Sequence, residues 1–309
     1  MKNFINLTDI HASVLRKIIQ DAKKRKQKRK NFNTLDIDKD RPLKGKLLIQ
    51  MFEKSSLRTR LSFYLAIKQL GGESLTLRPD ELHLEKGGES LADTAKILST
   101  YGNGFMLRTD SDEKIKEFKK HLTIPIISGL SPNSHPTQVL SDIFTVEEIK
   151  KKPISQLNIC WIGDSNNVLN SLIAASVKFS FNLNIGCPKN YEPKKFLIDW
   201  AKKNKKKINI FNNVKKAATN ADVIFSDKVV SLNDKVNKFK KIKDFKKFQI
   251  NKKLMSFAKK DAIFLHCLPR GNEVTEDIFL GKQSKVWQQA LNRVHVQKSI
   301  LLYCFDKLR

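Results

Sequence analysis

Ser55-Ser56-Leu57-Arg58-Thr59-Arg60 is the stretch on which the reading of the whole chain turns. It follows Leu47-Leu48-Ile49-Gln50-Met51-Phe52, a largely apolar run of strand length. It precedes Leu61-Ser62-Phe63-Tyr64-Leu65-Ala66-Ile67-Lys68-Gln69-Leu70, whose periodicity predicts a helix stopped by Gly71-Gly72. Hydroxyls and guanidiniums are therefore gathered at a strand-to-helix turn. The N–H groups of a first helical turn have no partner within the helix, and the dipole there favours an anion. Arginine adds a planar fork that matches phosphate oxygens two at a time. A small phosphate dianion is the natural occupant.

The same alternation extends in both directions. Upstream, Thr8 or Asp9 is placed to cap a first helix with the apolar stripe Ile10, Val14, Leu15, Ile18 and Ile19 and a basic end over residues 23–30. Downstream come a strand at 74–77, a loop at 78–88 that reads as mobile, a helix at 89–98, and a strand at 104–107 ending at Arg108. A helix at 114–121 and a strand at 123–127 follow, in which Pro125 points to an edge or a strand start. His135-Pro136-Thr137-Gln138 stands at the entry of a helix running to about residue 151. Past Pro153 the rhythm repeats: strands at 157–162, 183–185, 208–210, 223–225 and 262–265 alternate with helical segments, and a last helix spans about 290–305.

This pattern predicts an α/β protein of two doubly wound parallel-sheet domains, residues 1–150 and 151–289. Ligands of such sheets bind beyond the carboxyl ends of the strands. Polar clusters fall at six such ends: residues 56–60, Arg108, residues 135–138, Asn166-Asn167, Asp227 and residues 266–269. The active site is therefore expected in a cleft between the domains.

Composition narrows the class. At roughly 150 residues per domain, 309 residues suggest two domains, and 40% apolar content is enough for two cores. No run of about 18 apolar residues exists and the N-terminus lacks an apolar signal core, so no membrane span and a cytoplasmic location are expected. Cys160, Cys187, Cys267 and Cys304 have no Cys-x-x-Cys spacing and read as reduced thiols. The histidines show no metal-ligand spacing, so no metal is expected. No cofactor is expected either: Gly102-x-Gly104 lacks the third glycine of a dinucleotide fingerprint, and Gly45-Lys46 and Gly281-Lys282 lack the rest of a P-loop. The net charge of +28 is spread along the chain, in clusters such as 202–207 and 235–247, without interleaved aromatics. It reads mostly as solvated helix faces, not as a nucleic-acid surface, although the field attracts small anions.

The first-half set (Arg58, Arg60, Arg108, His135, Gln138) suits an anion bearing a carbonyl, and the second-half set (Asn167, Asp227, Ser231, Cys267) suits an ammonium and a carboxylate or amide. Together they suit an acyl phosphate and an amino acid. Acyl transfer to an amine needs a neutral amine, donors where charge develops on the carbonyl oxygen, and cations on the leaving phosphate. It needs no covalent nucleophile if both substrates are held in line. Cys267 beside His266 is a weak nucleophile candidate, because chain neighbours after a strand usually point apart.

Phe52-Glu53-Lys54-Ser55-Ser56-Leu57-Arg58-Thr59-Arg60, Glu89-Ser90-x-x-Asp93-Thr94-Ala95, Arg108, His135-Pro136-Thr137-Gln138, Gly163-Asp164-x-Asn166-Asn167, Asp227-x-x-x-Ser231, His266-Cys267-Leu268-Pro269 and Asn292-Arg293 resemble, in order and over nearly the whole chain, the ornithine branch of the aspartate/ornithine carbamoyltransferase family. The resemblance implies carbamoyl transfer from carbamoyl phosphate to the side-chain amine of ornithine, giving citrulline in arginine biosynthesis. It implies phosphate binding by Ser56, the Leu57 N–H, Arg58 and Thr59, and a hold on phosphate and carbamoyl oxygens by Arg108, His135, Gln138 and Arg293. Asn167, Asp227, Ser231 and Leu232 would bind ornithine. Cys267 would lie beside the reacting amine, and the Leu268 carbonyl would meet the carbamoyl NH2. The catalytic set implied is Arg108, His135, Gln138 and Cys267. Also implied are a homotrimer, no metal or cofactor, and a C-terminal helix, residues 290–309, returning to the first domain.

This chain departs from the family pattern in three places. Leu57 stands where threonine is usual, Ser231-Leu232-Asn233 replaces Ser-Met-Gly, and the segment Arg270-Gly271-Asn272-Glu273 is short. A modified ornithine or putrescine remains an alternative acceptor. A basic nucleic-acid-binding protein on a degenerate scaffold is the alternative from another class, and intact Arg58, Arg108, His135 and Cys267 argue against it.

Overall fold

The apolar runs become strands, and the central ones, Leu47–Phe52, Gly104–Arg108, Asn158–Ile162 and Val223–Ser226, are largely buried, as inner strands of parallel sheets are. The computed structural model describes residues 1–78, 88–230 and 237–308. The expected mobile loop lies largely outside them. The chain divides into two compact units, Met1–Phe144 with Ala290–Arg309, and Thr145–Gln289.

In the first unit α1 spans Ala12–Lys28, β1 Leu47–Phe52, α2 Leu57–Gln69, β2 Glu73–Leu77, α3 Leu91–Tyr101, β3 Gly104–Arg108, α4 Asp112–His121 and β4 Ile126–Leu130. Helix α5, Pro136–Lys150, starts in this unit. The sheet order is β2-β1-β3-β4, every pair parallel. The chain leaves β1 outward to β2, then returns to β3 on the other side, so β1 and β3 flank a topological switch point. Their register pairs Phe52 with Arg108, which aligns the two strand exits. One face of the sheet (Ile49, Met51, Phe105, Leu107, Ile126) packs on Ala95 and Leu98 of α3 and Ile115 and Phe118 of α4.

In the second unit β5 spans Asn158–Ile162, α6 Asn167–Phe179, β6 Asn182–Gly186, α7 Lys195–Lys203, β7 Ile208–Phe211, α8 Val214–Ala218 and β8 Val223–Ser226. Then follow α9 Lys238–Phe245, α10 Lys252–Met255, β9 Ile263–His266 and α11 Glu276–Phe279. The order is β7-β6-β5-β8-β9, again all parallel, with the switch point between β5 and β8.

The last helix, α12, Val286–Cys304, begins a turn before the sequence reading places it. Val286 is buried and Trp287 is exposed, so that first turn carries no legible apolar stripe. From Ala290 the helix belongs to the first unit. Phe305 just beyond it lies where a side chain on Gly104 would stand, 2.8 Å from the ideal Cβ position, so β3 needs glycine there. Charge fixes the helix as well. Asp38 accepts from Arg25 (3.0 Å), Arg29 (2.9 Å) and Lys298 (2.7 Å), and Ser299 donates to Asp21 (2.6 Å). Lys298 is wholly buried, and burial pushes its ammonium down to about 8 against the opposing pull of Asp38.

Two local expectations need correction. Thr8 and Asp9 fall in a short 3-10 turn, Leu7–Asp9, and Ile10 is extended; the cap of α1 is His11, whose Nδ1 accepts from the Ser13 N–H at 3.3 Å. The fourth strand runs past its expected end because Ser128 and Gly129 are buried strand residues that hydropathy reads as loop. Pro125 immediately precedes this strand, which is terminal in the order.

Candidate active site

The anion cradle of the first unit forms because α2 starts where β1 ends. Ser56 is extended at the N-cap, and its Oγ accepts from the Thr59 N–H at 3.4 Å. The first-turn amides of α2 then face outward beyond the strand ends. Leu57, at 71% exposure, offers the site only its backbone, and Arg60 is exposed as well. Arg58 is half-buried beside Arg108 at the exit of β3. Burial, and then the Arg58 charge, push the Arg108 guanidinium down to about 10. Its Nε is buried with no hydrogen-bond partner among the described residues. A buried donor left in this state is ordinarily satisfied by a ligand or water.

Helices α5 and α12 complete the cradle. Arg293 donates through Nη2 to Thr59 Oγ1 (2.8 Å) and through Nη1 to Gln138 Oε1. Gln138 in turn donates to Asp142 Oδ1 at 2.7 Å. Thr59, Gln138, Asp142 and Arg293 are all buried, so one polar chain links three helices. His135 is buried just before α5. Burial first, then the charges of Arg293, Arg108 and Arg58, hold its imidazole well below its ordinary value. A neutral imidazole among three guanidiniums can donate one hydrogen bond to a carbonyl oxygen without adding charge. Ser56, Arg58, Thr59, Arg108, His135, Gln138 and Arg293 are thus brought together.

The second unit builds a different site at its own switch point. Asn166 caps α6, its Oδ1 accepting from the Val168 and Leu169 N–H groups at 3.0 and 3.1 Å. Its Nδ2 donates to Asp227 Oδ2 at 2.8 Å, across the exits of β5 and β8. Gly163, at φ 152°, lets the chain turn toward that cap. Withdrawal of the Asp227 carboxyl from solvent raises it above its ordinary value. On the other side of β8 ends β9, at His266, followed by the half-buried Cys267. The Leu268 N–H donates to His266 Nδ1 at 3.0 Å, which puts the ring proton on Nε2, 3.0 Å from Glu273 Oε1. Burial pushes the Glu273 carboxyl up, but the His266 hydrogen bond and the Gly271 N–H outweigh it and leave it below the usual range. Glu273 also accepts from the Val229 N–H at 3.4 Å, so one carboxylate ties the segments after β8 and β9 together. Leu268 stands at φ 30°, a conformation L residues rarely adopt, and its peptide bond to Pro269 is cis. Asn167 opens α6; Ser231 and Leu232 lie outside the described residues.

A family model described as "Aspartate/ornithine carbamoyltransferase, carbamoyl-P binding domain" matches residues 2–148. A second, "Aspartate/ornithine carbamoyltransferase, Asp/Orn binding domain", matches residues 155–304. The chain belongs to the aspartate/ornithine carbamoyltransferase family. Relatives named ornithine carbamoyltransferase are similar end to end. That of Brucella suis is 42% identical, with 99% of this chain and 96% of the relative covered. That of Mesorhizobium japonicum is 40% identical, with 98% of each covered. Two solved structures are similar in fold. The Pyrococcus furiosus ornithine carbamoyltransferase has a TM-score of 0.90 at 36% identity, covering 97% and 96% of the two chains. The anabolic ornithine carbamoyltransferase of Campylobacter jejuni has a TM-score of 0.89 at 36% identity over the whole of both chains.

As a carbamoyltransferase-family chain, this one carries its family motifs at strand exits and helix starts. Three contacts are not given by the motifs themselves. The Asn166 amide holds Asp227. Glu273 lies in the short segment after Pro269 yet organises both loops around Cys267. Asp142 is one helical turn beyond Gln138, and that i, i+4 spacing was the available signal.

Proposed function

We propose that this chain catalyses transfer of the carbamoyl group of carbamoyl phosphate to the side-chain amine of L-ornithine, giving L-citrulline and phosphate in arginine biosynthesis. The observation that carries the reading is the cluster of Arg58, Arg108 and Arg293 around a buried neutral His135, at a helix start and with the Arg108 Nε unpartnered among the described residues. It suits an acyl phosphate, a phosphate dianion joined to a carbonyl. Ser56, the Leu57 N–H, Arg58 and Thr59 hold the phosphate. Arg108, His135, Gln138 and Arg293 hold the bridging and carbamoyl oxygens.

Ornithine is held by Asn167 and Asp227, with Ser231 and Leu232, and the raised Asp227 carboxyl faces its α-ammonium. The neutral side-chain amine attacks the carbamoyl carbon, and Cys267 lies beside it. As the C–N bond forms, negative charge grows on the carbonyl oxygen, where His135 and Arg108 donate. The Leu268 carbonyl accepts from the carbamoyl NH2. The C–O bond to phosphate then breaks, the electron pair leaves on phosphate under the arginines, and the amine proton passes to the departing phosphate or to solvent.

The working form is a homotrimer in the cytoplasm. Leu57, Leu61 and Tyr64, at helical spacing on α2, together with Leu75 on β2, are exposed apolar residues in the first unit. They suit burial against another copy.

The test is phosphate release from carbamoyl phosphate with ornithine, acetylornithine, succinylornithine, putrescine and aspartate offered singly. Release with ornithine, matched by citrulline, is the expected result. Preference for another amine overturns the acceptor assignment, and no release with any amine overturns the whole reading.

A further inference from the structure

Arg58 and Arg108 stand at the exits of neighbouring strands and repel one another. Something must hold the two exits at a spacing that fits one dianion. We propose that Glu53 is a positioning residue that locks the loop after β1 to the loop after β3 and so sets the spacing of Arg58 and Arg108.

Glu53 is the first residue past β1. Its backbone N–H donates to the Arg108 carbonyl at 3.0 Å. One carboxylate oxygen accepts from Lys114 Nζ at 2.6 Å, on the first turns of α4, and the other accepts from the Thr109 hydroxyl. Thr109 is fully buried; its N–H donates to the Leu130 carbonyl at 3.2 Å, and its Oγ1 accepts from the Ser111 N–H at 3.1 Å. Lys54 and Asp110 make a weaker bridge between the same two loops at 3.6 Å. One residue therefore reaches the exits of β1 and β3 and, through Thr109, that of β4. The Glu53 side chain is 11% exposed, so these bonds are shielded.

A glutamate so close to two arginines invites another interpretation, that it neutralises them. The geometry argues against this. Both oxygens are committed to Lys114 and Thr109, and the influences on Arg108 are burial and the Arg58 charge, with no carboxylate pulling the other way. The strut leaves the Arg108 charge for the ligand and fixes only its position, which is the form of preorganisation that anion capture rewards.

The two interpretations predict opposite signs. Glu53→Gln removes a negative charge near the cradle, so by charge alone inorganic phosphate should bind more tightly. If Glu53 positions, phosphate should bind more weakly in spite of that change. Thr109→Val removes the hydroxyl with no change of charge and should act in the same direction. The experiment is titration calorimetry of the full-length protein with inorganic phosphate, beside steady-state kinetics. Each variant should raise the phosphate Kd and the carbamoyl phosphate KM by about tenfold. Saturating kcat should stay within about threefold and the ornithine KM should be unchanged, since a shift of anion spacing leaves the acceptor site alone. The double variant should be no weaker than the worse single one, because both cut one strut. Unchanged or tighter phosphate binding in Glu53→Gln overturns the proposal, as does a Thr109→Val variant like the parent. Should Glu53→Gln fail to fold, Thr109→Val decides alone.

The inference rests on the carbamoyl phosphate reading for the identity of the anion. The calorimetric arm separates the two: a parent that binds phosphate but transfers no carbamoyl group overturns the function and leaves the strut standing on its own test. A parent that does not bind phosphate overturns the strut.

Discussion

Thr59→Val probes whether the link between the first helix start and α12 belongs to the anion site. Thr59 is 1% exposed, and valine keeps its branching at Cβ while removing the hydroxyl. What is lost is the hydroxyl that accepts from Arg293 Nη2 at 2.8 Å and whose own proton is then free to point at phosphate. A hydrogen bond to a charged partner contributes about 1.5–3 kcal/mol. If that energy is expressed in ligand capture, the carbamoyl phosphate KM rises roughly 10- to 150-fold at about 1.4 kcal/mol per decade. Without ligand the same change leaves Arg293 with Gln138 and weakens the seat of α12. The melting temperature should then fall by a few degrees, at about 2–4 °C per kcal/mol. The assays are initial rates over a carbamoyl phosphate series at saturating ornithine and a thermal melt with and without phosphate. A variant whose melt drops while its KM stays at the parental value refutes the reasoning, because Thr59 would then only hold the helix.

Other perturbations isolate other parts. Asp227→Asn should raise the ornithine KM by roughly tenfold or more, because an ammonium loses its charged acceptor, and should spare the carbamoyl phosphate KM; an unchanged ornithine KM rules out the role. His135 stays neutral in the fold, whereas in the unfolded chain it takes a proton below about pH 6.5. The unfolded state then binds more protons, so stability falls as pH drops through that value, with a limiting slope of about 1.4 kcal/mol per pH unit. Urea melts between pH 7 and 5.5 should show this slope in the parent and not in His135→Gln, and an identical slope in both would count against it. Asp38→Asn leaves Arg25, Arg29 and Lys298 without their common carboxylate charge and should cost about 3–5 kcal/mol in denaturant unfolding, the range for breaking a buried pair. A loss under about 1 kcal/mol, as for an exposed pair, contradicts that role.

What the sequence makes legible is what short-range physics decides. The strand before Ser55, the cap at Ser56 and the helix after it all lie within one stretch, so propensity, period and dipole agree there. Polar residues at strand exits are equally visible, because parallel strands separated by helices put every exit at one edge. Contacts between distant segments are a different matter. Nothing local joins Arg293 to Thr59 and Gln138; the family resemblance supplied that position, and the fold supplies the reason, a helix that leaves the second unit and packs in the first. Hydropathy also misreads buried charge. In a chain this rich in lysine, residues 235–247 read as a solvated face, yet Lys241 is 3% exposed and sits 2.5 Å from Asp164. Lys298 is wholly buried for the same kind of reason, a carboxylate brought up from far away in sequence. Strand β4 failed at its end because Ser128 and Gly129 look like loop residues until the packing around them is known.

The two units show how one topology supports two chemistries. Each places its functional groups where a parallel sheet reverses its winding, β1 against β3 in one and β5 against β8 in the other. The first surrounds its switch point with Arg58, Arg108 and Arg293 and keeps its histidine neutral. The second surrounds its own with Asp227, a cysteine, and a histidine held by Glu273. On the proposed function, charge of one sign at the first site serves the phosphate substrate, and the carboxylate of Asp227 at the second serves the amine. The supports differ in the same way. Around the first site Thr109 and Lys114 donate to Glu53, which holds like charges at a fixed spacing. Around the second Glu273 collects an imidazole and two backbone N–H groups, fixing the loops that carry Cys267 and Val229. The Glu53 carboxylate is committed to Lys114 and Thr109, and no carboxylate offsets the charge on Arg108.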